Sequence, residues 1–151
     1  MAPNPPDLVR KLGWRVWNGF TSAHVTIYRL TGGRIGRRFR GAPVLLLNHL
    51  GRKTGKPRTT PLMYLRDGDD LFLVASKGGS HKHPVWWLNL QANPRATVEV
   101  DGEKFSVIAE QVSKEEKHRL WPKLVEMYAD YDDYQRRTDR DIPVIRLRGA
   151  G

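Results

Sequence analysis

The chain of 151 residues has no cysteine. Disulfides, thiolate metal sites and a cysteine nucleophile are thereby excluded, and the absence fits a reducing cytoplasm. Nor does it hold an apolar run of about 18 residues or more, the length a helix needs to span a bilayer. The opening MAPNPPD lacks the basic-then-apolar pattern of a signal peptide, so a cytoplasmic protein is expected. No catalytic triad or carboxylate pair stands out. His81 and His83 flank Lys82 with no carboxylate or thiol close by in sequence. That is a poor ligand set, and no metal is expected.

Acids are scarce in the first two-thirds. Residues 1–100 hold 16 Lys and Arg against 5 Asp and Glu, whereas residues 101–151 hold 10 against 11. The net charge of +10 therefore resides in the first part. Such a field suits nucleic acid, an anionic membrane surface or a highly acidic small molecule. With 39% hydrophobic residues, the chain can bury one core unaided.

The stretch from Gly51 to Asn93 concentrates the chemistry. Its first loop, Gly51-Arg52-Lys53-Thr54-Gly55-Lys56-Pro57-Arg58, carries four cations between Arg52 and Arg58 and no acid. Like charges packed so closely repel unless something anionic lies among them. Glycines let backbone N–H groups turn toward a phosphate, and Arg and Lys add charge-assisted hydrogen bonds. A solvated hairpin tip is the plain alternative. A P-loop is excluded, because only three residues separate Gly51 from Gly55-Lys56 and Pro57 stands where Ser or Thr is needed. The same chemistry recurs at Ser76-Lys77-Gly78-Gly79, about 20 residues on, a spacing that suits adjacent strands. The Trp86-Trp87 pair follows.

Periodicity predicts a helix from Asp7 to Leu30, stopped by Gly32-Gly33, then a basic, glycine-rich connector to residue 40. That helix either packs on the core or, with its Trp and basic residues, rests on a membrane. Strands are predicted at Ala42–Leu50, Thr59–Arg66, Leu71–Ser76, Ala96–Val100, Phe105–Gln111 and Ile142–Leu147. Pro61 marks an edge or bulge, and Asp101-Gly102 a hairpin turn. Short helices are expected at His83–Leu90 and from Ser113, which with Glu116 forms a capping box, to about Tyr128. Hairpin links without intervening helices argue for an antiparallel sheet that closes. The expectation is an α+β protein, mainly β: a small split antiparallel β-barrel over residues 41–151, with a long N-terminal helix in residues 1–40 and helices outside.

Two further features could touch a substrate. Ser76, at a strand end beside Lys77, could donate to a substrate oxygen or simply begin a turn. Tyr128, Tyr131 and Tyr134 recur every three residues, so on a helix they share a face. They could be core, but the acids around Tyr131 and Tyr134 suggest a half-exposed segment closing over a flat ligand.

GRKTGKPR, TPLMYL, VASKGG, PVWWLNLQANP and MYADYDDYQRRTDRDIPV, in that order between about Pro43 and Val144, resemble the deazaflavin-dependent nitroreductase family. These are actinobacterial split β-barrel oxidoreductases that use coenzyme F420, an 8-hydroxy-5-deazaflavin with a phosphate and an oligoglutamate tail. The resemblance implies hydride transfer from reduced F420 to a quinone such as menaquinone, a nitroaromatic compound or a related electrophile. It implies phosphate and tail contacts at Arg52, Lys53, Thr54 and Arg58, with Lys77, Gly78 and Gly79 nearby. Thr60, Pro61, Leu62 and Met63 would shape a wall against the ring, together with Ala75 and Ser76. Trp86, Trp87 and Asn89 would border the other side. Ser76 and Tyr131 would donate to the acceptor oxygen, while Tyr64, Tyr128 and Tyr134 shape its pocket. One departure is that Asn48-His49-Leu50 stands where such proteins carry a threonine-rich run. A lipid-dissolved quinone would favour peripheral contact with the inner face of the plasma membrane. The competing readings are a nucleic-acid-binding barrel, an FMN-binding split barrel and a cofactor carrier without catalysis.

Overall fold

The computed structural model describes residues 23–34, 38–39 and 41–150. Of the predicted N-terminal helix, residues 23–30 are helical (α1), and residues 7–22 lie outside those described. It stops where expected. Gly32 and Gly33 adopt positive φ, and the Gly33 N–H bonds back to the Tyr28 carbonyl at 2.9 Å, a left-handed C-terminal cap. Tyr28 fastens this end to the barrel. Its hydroxyl donates to the Glu99 carbonyl at 3.1 Å and accepts from the Asp101 N–H at 2.9 Å.

There follow β1 (Arg38–Phe39), β2 (Ala42–Leu50), β3 (Pro57–Met63), β4 (Leu65–Asp67) and β5 (Asp70–Val74). Next come a 3₁₀ turn (Lys77–Gly79), α2 (Val85–Ala92), β6 (Arg95–Val100), β7 (Glu103–Gln111), α3 (Lys114–Met127), α4 (Asp130–Arg136) and β8 (Val144–Gly149). Every pairing is antiparallel. The strands run β3-β2-β6-β7-β8-β5-β4, with β1 on the start of β2. Only Tyr64 separates β3 from β4, so the two end strands are one bent stretch of chain. The sheet curls into a split antiparallel β-barrel. The single strand expected at Thr59–Arg66 is thus two, broken where the chain turns the corner. Pro61 pairs with Leu46 on β3, which pairs with no strand but β2 among the described residues. That edge tolerates a missing N–H.

Alternation along the strands splits the apolar residues between two cores. Leu71 and Leu73 of β5 point into the barrel, with Leu45, Leu47, Val98, Val107, Ile145 and Leu147. Phe72 and Val74 point outward, under Leu120 and Leu124 of α3 and Tyr131 of α4. The β6–β7 hairpin turns on Asp101 and Gly102, both at positive φ, as a two-residue connection demands. Ser113 caps α3 by accepting from the Glu116 N–H at 3.1 Å. The Glu116 carboxylate, however, turns to Arg146, so only half of the predicted capping box forms.

Register fixes what lies at each end. Leu50 pairs with Pro57, Asn48 with Thr97, Arg95 with Ile108, Gln111 with Ile145 and Val74 with Val144. The end of β2, the starts of β3, β6 and β8, and the ends of β5 and β7 therefore share one rim. Both basic loops rise from it.

Candidate active site

The first loop is a tight turn. Gly51 N–H bonds to the Lys56 carbonyl at 2.9 Å and Gly55 N–H to the Gly51 carbonyl at 2.8 Å, while Thr54 Oγ1 accepts from the Lys56 N–H at 3.2 Å. Residues 52–58 are exposed, so the side chains of Arg52, Lys53, Lys56 and Arg58 stand in solvent. The turn is anchored from below by Asn89 of α2. Asn89 Oδ1 accepts from the Arg52 N–H at 3.0 Å, and its Nδ2 lies 3.1 Å from His49 Nδ1. His49 Nε2 in turn lies 3.0 Å from Thr60 Oγ1. Because Asn89 presents its oxygen to a backbone donor, its nitrogen must donate, so His49 Nδ1 accepts and Nε2 carries the proton. Burial, with Arg58 beside it, pushes His49 down to about 4, which keeps it neutral. Nothing in the local sequence marks His49 as a functional residue beyond its place in a polar pair, Asn48-His49, closing the otherwise apolar β2.

The second loop follows β5. Ala75 is fully buried, Ser76 half-buried, and Lys77 and Gly78 exposed. Ser76 is right-handed, whereas Lys77 (φ 45°) and Gly78 (φ 62°) are left-handed. A right-to-left succession turns consecutive N–H groups toward one point and makes an anion-binding concavity. Among the described residues, the N–H groups of Ser76, Lys77 and Gly78 donate to no carbonyl. Gly79 (φ +80°) lies so close to α4 that a Cβ would sit 2.8 Å from the Tyr134 carbonyl oxygen.

Among the described residues the cations of the two loops are unpaired, as are others elsewhere on the surface such as Arg66, Lys104 and Lys114; what sets the loops apart is how closely their cations cluster. Arg29, Lys117, Arg119, Lys123, Arg136, Arg146 and Arg148 all have carboxylate partners. Among the described residues Arg52, Lys53, Lys56, Arg58 and Lys77 have none. The two loops together hold five cations without a carboxylate partner and a set of free backbone donors.

Several expected residues lie elsewhere. Trp86 and Trp87 are in the barrel core with Leu90, because α2 links two strand ends of one rim and turns its apolar side inward. Asn89, also buried, serves the loop rather than an open wall. Tyr64 is in the same core, and its N–H bonds to the Pro43 carbonyl at 3.1 Å. Pro43 starts β2, so Tyr64 lies at the far end from the loops and cannot join the other tyrosines. Pro61, Leu62 and Met63 are half-buried along β3, and Met63 packs under the outer helices.

Tyr128, Tyr131 and Tyr134 do not share one helix face, since α3 ends at Met127 and α4 begins at Asp130. Their rings nevertheless cluster, with centroids 5.0 Å apart for Tyr128–Tyr131 and 6.3 Å for Tyr131–Tyr134. The Tyr128 and Tyr134 hydroxyls lie 3.1 Å apart. Tyr131 is only 3% exposed, so it is core rather than a half-exposed cover. Its hydroxyl has no hydrogen-bond partner among the described residues. Burial first, then Tyr128 and Tyr134, raise its pKa, and it stays a phenol.

The family model for F420H(2)-dependent quinone reductase matches residues 21–148. An F420H(2)-dependent quinone reductase of Mycobacterium tuberculosis is 46% identical, covering 93% of this chain and 97% of that protein. The solved structure of an F420-H2 dependent reductase superposes with a TM-score of 0.64 at 39% identity, over 70% of this chain and 93% of that one. A haem-storage protein of Vibrio cholerae shares the fold alone, with a TM-score of 0.56 at 18% identity, over 76% and 85% of the two chains.

Proposed function

Given that the chain belongs to the F420H(2)-dependent quinone reductase family, we propose that its basic rim is where coenzyme F420 and the acceptor meet. The protein is an F420-dependent oxidoreductase acting on quinones, and the nucleic-acid-binding alternative is not favoured. The observation that carries the site is the clustering of five cations, unpaired among the described residues, on two loops of one rim, beside backbone N–H groups that donate to no carbonyl. F420 is acidic at its phosphate and oligoglutamate tail, and these residues fit it. Arg52, Lys53 and Arg58, with the Thr54 turn, would hold phosphate and tail, and Lys77, Gly78 and Gly79 would lie alongside. Along β3, alternation lets either Thr60 and Leu62 or Pro61 and Met63 turn side chains to the ring while the others would line it through the backbone, as would the fully buried Ala75.

When bound, reduced F420 supplies a hydride, and the quinone takes up that hydride and one proton to become a hydroquinone. The protein's part is to position the reactants and to meet charge building on the acceptor oxygen. Ser76 Oγ, half-buried at the mouth of the loop, is the proposed donor to that oxygen, with Tyr131 Oη as the second. The Tyr128–Tyr134 pair would hold Tyr131 from behind.

The physiological acceptor we propose is a lipid-soluble quinone such as menaquinone, with nitroaromatic compounds as further electrophiles. Among the described residues no helix is long and apolar enough to cross a membrane. Ile27 and Leu30 of α1 are 45% and 81% exposed, which supports peripheral contact with an anionic membrane through this helix. Vesicle co-sedimentation tests it, and retention unchanged by serine at both positions would remove α1 as the contact.

The deciding experiment is a fluorescence titration with oxidised F420, with FMN alongside, followed by quinone turnover. Binding of F420 alone and reduction of quinone are expected. A protein that binds FMN instead, or binds F420 yet reduces nothing, would replace this reading with the FMN barrel or the carrier.

A further inference from the structure

Arg140 lies between α4 and β8, 60 to 65 residues in sequence from the second-loop residues it reaches. Its guanidinium donates to three backbone carbonyls of the loop: Nη1 to Ala75 at 2.9 Å, Nη2 to Ser76 at 2.7 Å and Nε to Ser80 at 2.9 Å. Nη1 also reaches His83 Nδ1 at 3.1 Å, so His83 accepts there and is neutral. The side chain is half-buried. No carboxylate pairs with it among the described residues.

A trans peptide points its C=O and the following N–H in opposite directions. Drawing the Ala75 and Ser76 carbonyls onto Arg140 therefore turns the Ser76 and Lys77 N–H groups the other way, toward solvent. These are two of the three donors in the concavity described above. The left-handed Lys77, a conformation costly for a residue with a side chain, needs just such an external restraint. Arg140 also leaves an uncompensated positive charge beneath the donors.

We propose that Arg140 is a positioning residue for cofactor binding. It shapes the Ser76–Gly78 concavity by gathering the loop's carbonyls, and its charge favours a negatively charged oxygen of the ligand on the opposite side. This rests on the reading of the second loop as part of the F420 site. Lysine cannot replace it, because three tetrahedral donors do not span three carbonyls and an imidazole as a planar fork does.

The test uses the full chain with Arg140→Lys and Arg140→Ala, read by backbone amide exchange at Ala75, Gly79 and Ser80, whose N–H groups are hydrogen-bonded, and by F420 titration. The expected result is amide exchange in the loop faster by about tenfold and an F420 Kd raised by about tenfold, the loss of one set of charge-assisted hydrogen bonds. Added ethylguanidinium should restore both in Arg140→Ala, which a merely structural defect would not allow. Arg140→Lys serves where the alanine variant does not fold. Loop exchange or F420 affinity unchanged in Arg140→Lys would overturn the inference. Failure of the wild-type protein to bind F420 would instead overturn the cofactor reading, and loop exchange alone would then decide whether Arg140 shapes the loop.

Discussion

Asn89 and His49, 40 positions apart in sequence, join side chain to side chain at 3.1 Å and are both almost fully buried. Through them α2 is wired to both ends of the first basic loop, at Arg52 and at Thr60. A loop bearing four mutually repelling cations needs such a tether if it is to be preorganised before an anion arrives.

Replacing Asn89 by Leu removes the acceptor for the Arg52 N–H and leaves His49 Nδ1 buried without a partner. One unsatisfied buried group costs about 1–3 kcal/mol. Urea unfolding should show that loss, and the F420 Kd should rise severalfold with kcat at saturating cofactor little changed. An unaltered Kd would mean that the loop does not need its tether.

Stability should also depend on the charge of His49. The unfolded chain takes up a proton near the ordinary histidine value of about 6.5, whereas the folded one resists until about 4. The stabilisation from neutral His49 is therefore complete above pH 6.5 and lost as pH falls from there to about 4, amounting to about 3 kcal/mol. His83, held down by burial and then by Arg140, acts in the same direction. Chemical denaturation at pH 7 and at pH 4.5 measures the slope. His49→Gln should flatten it, and a slope identical to wild type would exclude His49 as its source.

Lys53→Gln and Arg58→Gln should each weaken F420 binding by about tenfold and make it less sensitive to salt, because each deletes an exposed cation without a carboxylate partner. Titration at two ionic strengths separates the two effects. Lys123→Gln, which removes a cation paired with Asp67 at 3.4 Å, should leave affinity alone. Equal losses from all three would point to net charge rather than a site.

Gly79→Ala and Gly55→Ala make a matched pair. Both residues have positive φ, but a Cβ at Gly55 would meet nothing within 4 Å, whereas at Gly79 it would press on the Tyr134 backbone. Gly55→Ala should cost about 1 kcal/mol from backbone conformation alone. Gly79→Ala should cost clearly more and should separate the loop from α4. Equal melting temperatures would show that this contact is slack.

The parts legible in the sequence were those with local causes. Asp101-Gly102 announced its hairpin through the φ it requires, Gly32-Gly33 stopped a helix, and the glycines of the first loop marked an exposed basic turn. What the sequence concealed depends on register. Tyr64 looked like a companion to Tyr131 until the bend between β3 and β4 placed it in the core at the far rim. Trp86 and Trp87 looked like a ligand wall, yet α2 turns them into the barrel. His49 and Arg140 were invisible as positioning groups because their partners lie 11 to 65 residues away.

Tyr131→Phe tests the acceptor side of the proposed mechanism. The change deletes one hydroxyl that makes no hydrogen bond among the described residues, so melting should shift little, within about 0.5 kcal/mol of wild type. Tyr134→Phe, by contrast, breaks the Tyr128–Tyr134 pair and should cost about 1 kcal/mol. If the Tyr131 phenol meets charge on the quinone oxygen, its loss should lower kcat by about tenfold or more with F420 affinity intact, the signature of an interaction made in the transition state. Ser76→Ala should act in the same way, and the double variant should lose less than the product of the two if both donate to one oxygen. Turnover of Tyr131→Phe equal to wild type would leave Tyr131 as a core residue and Ser76 as the sole proposed donor.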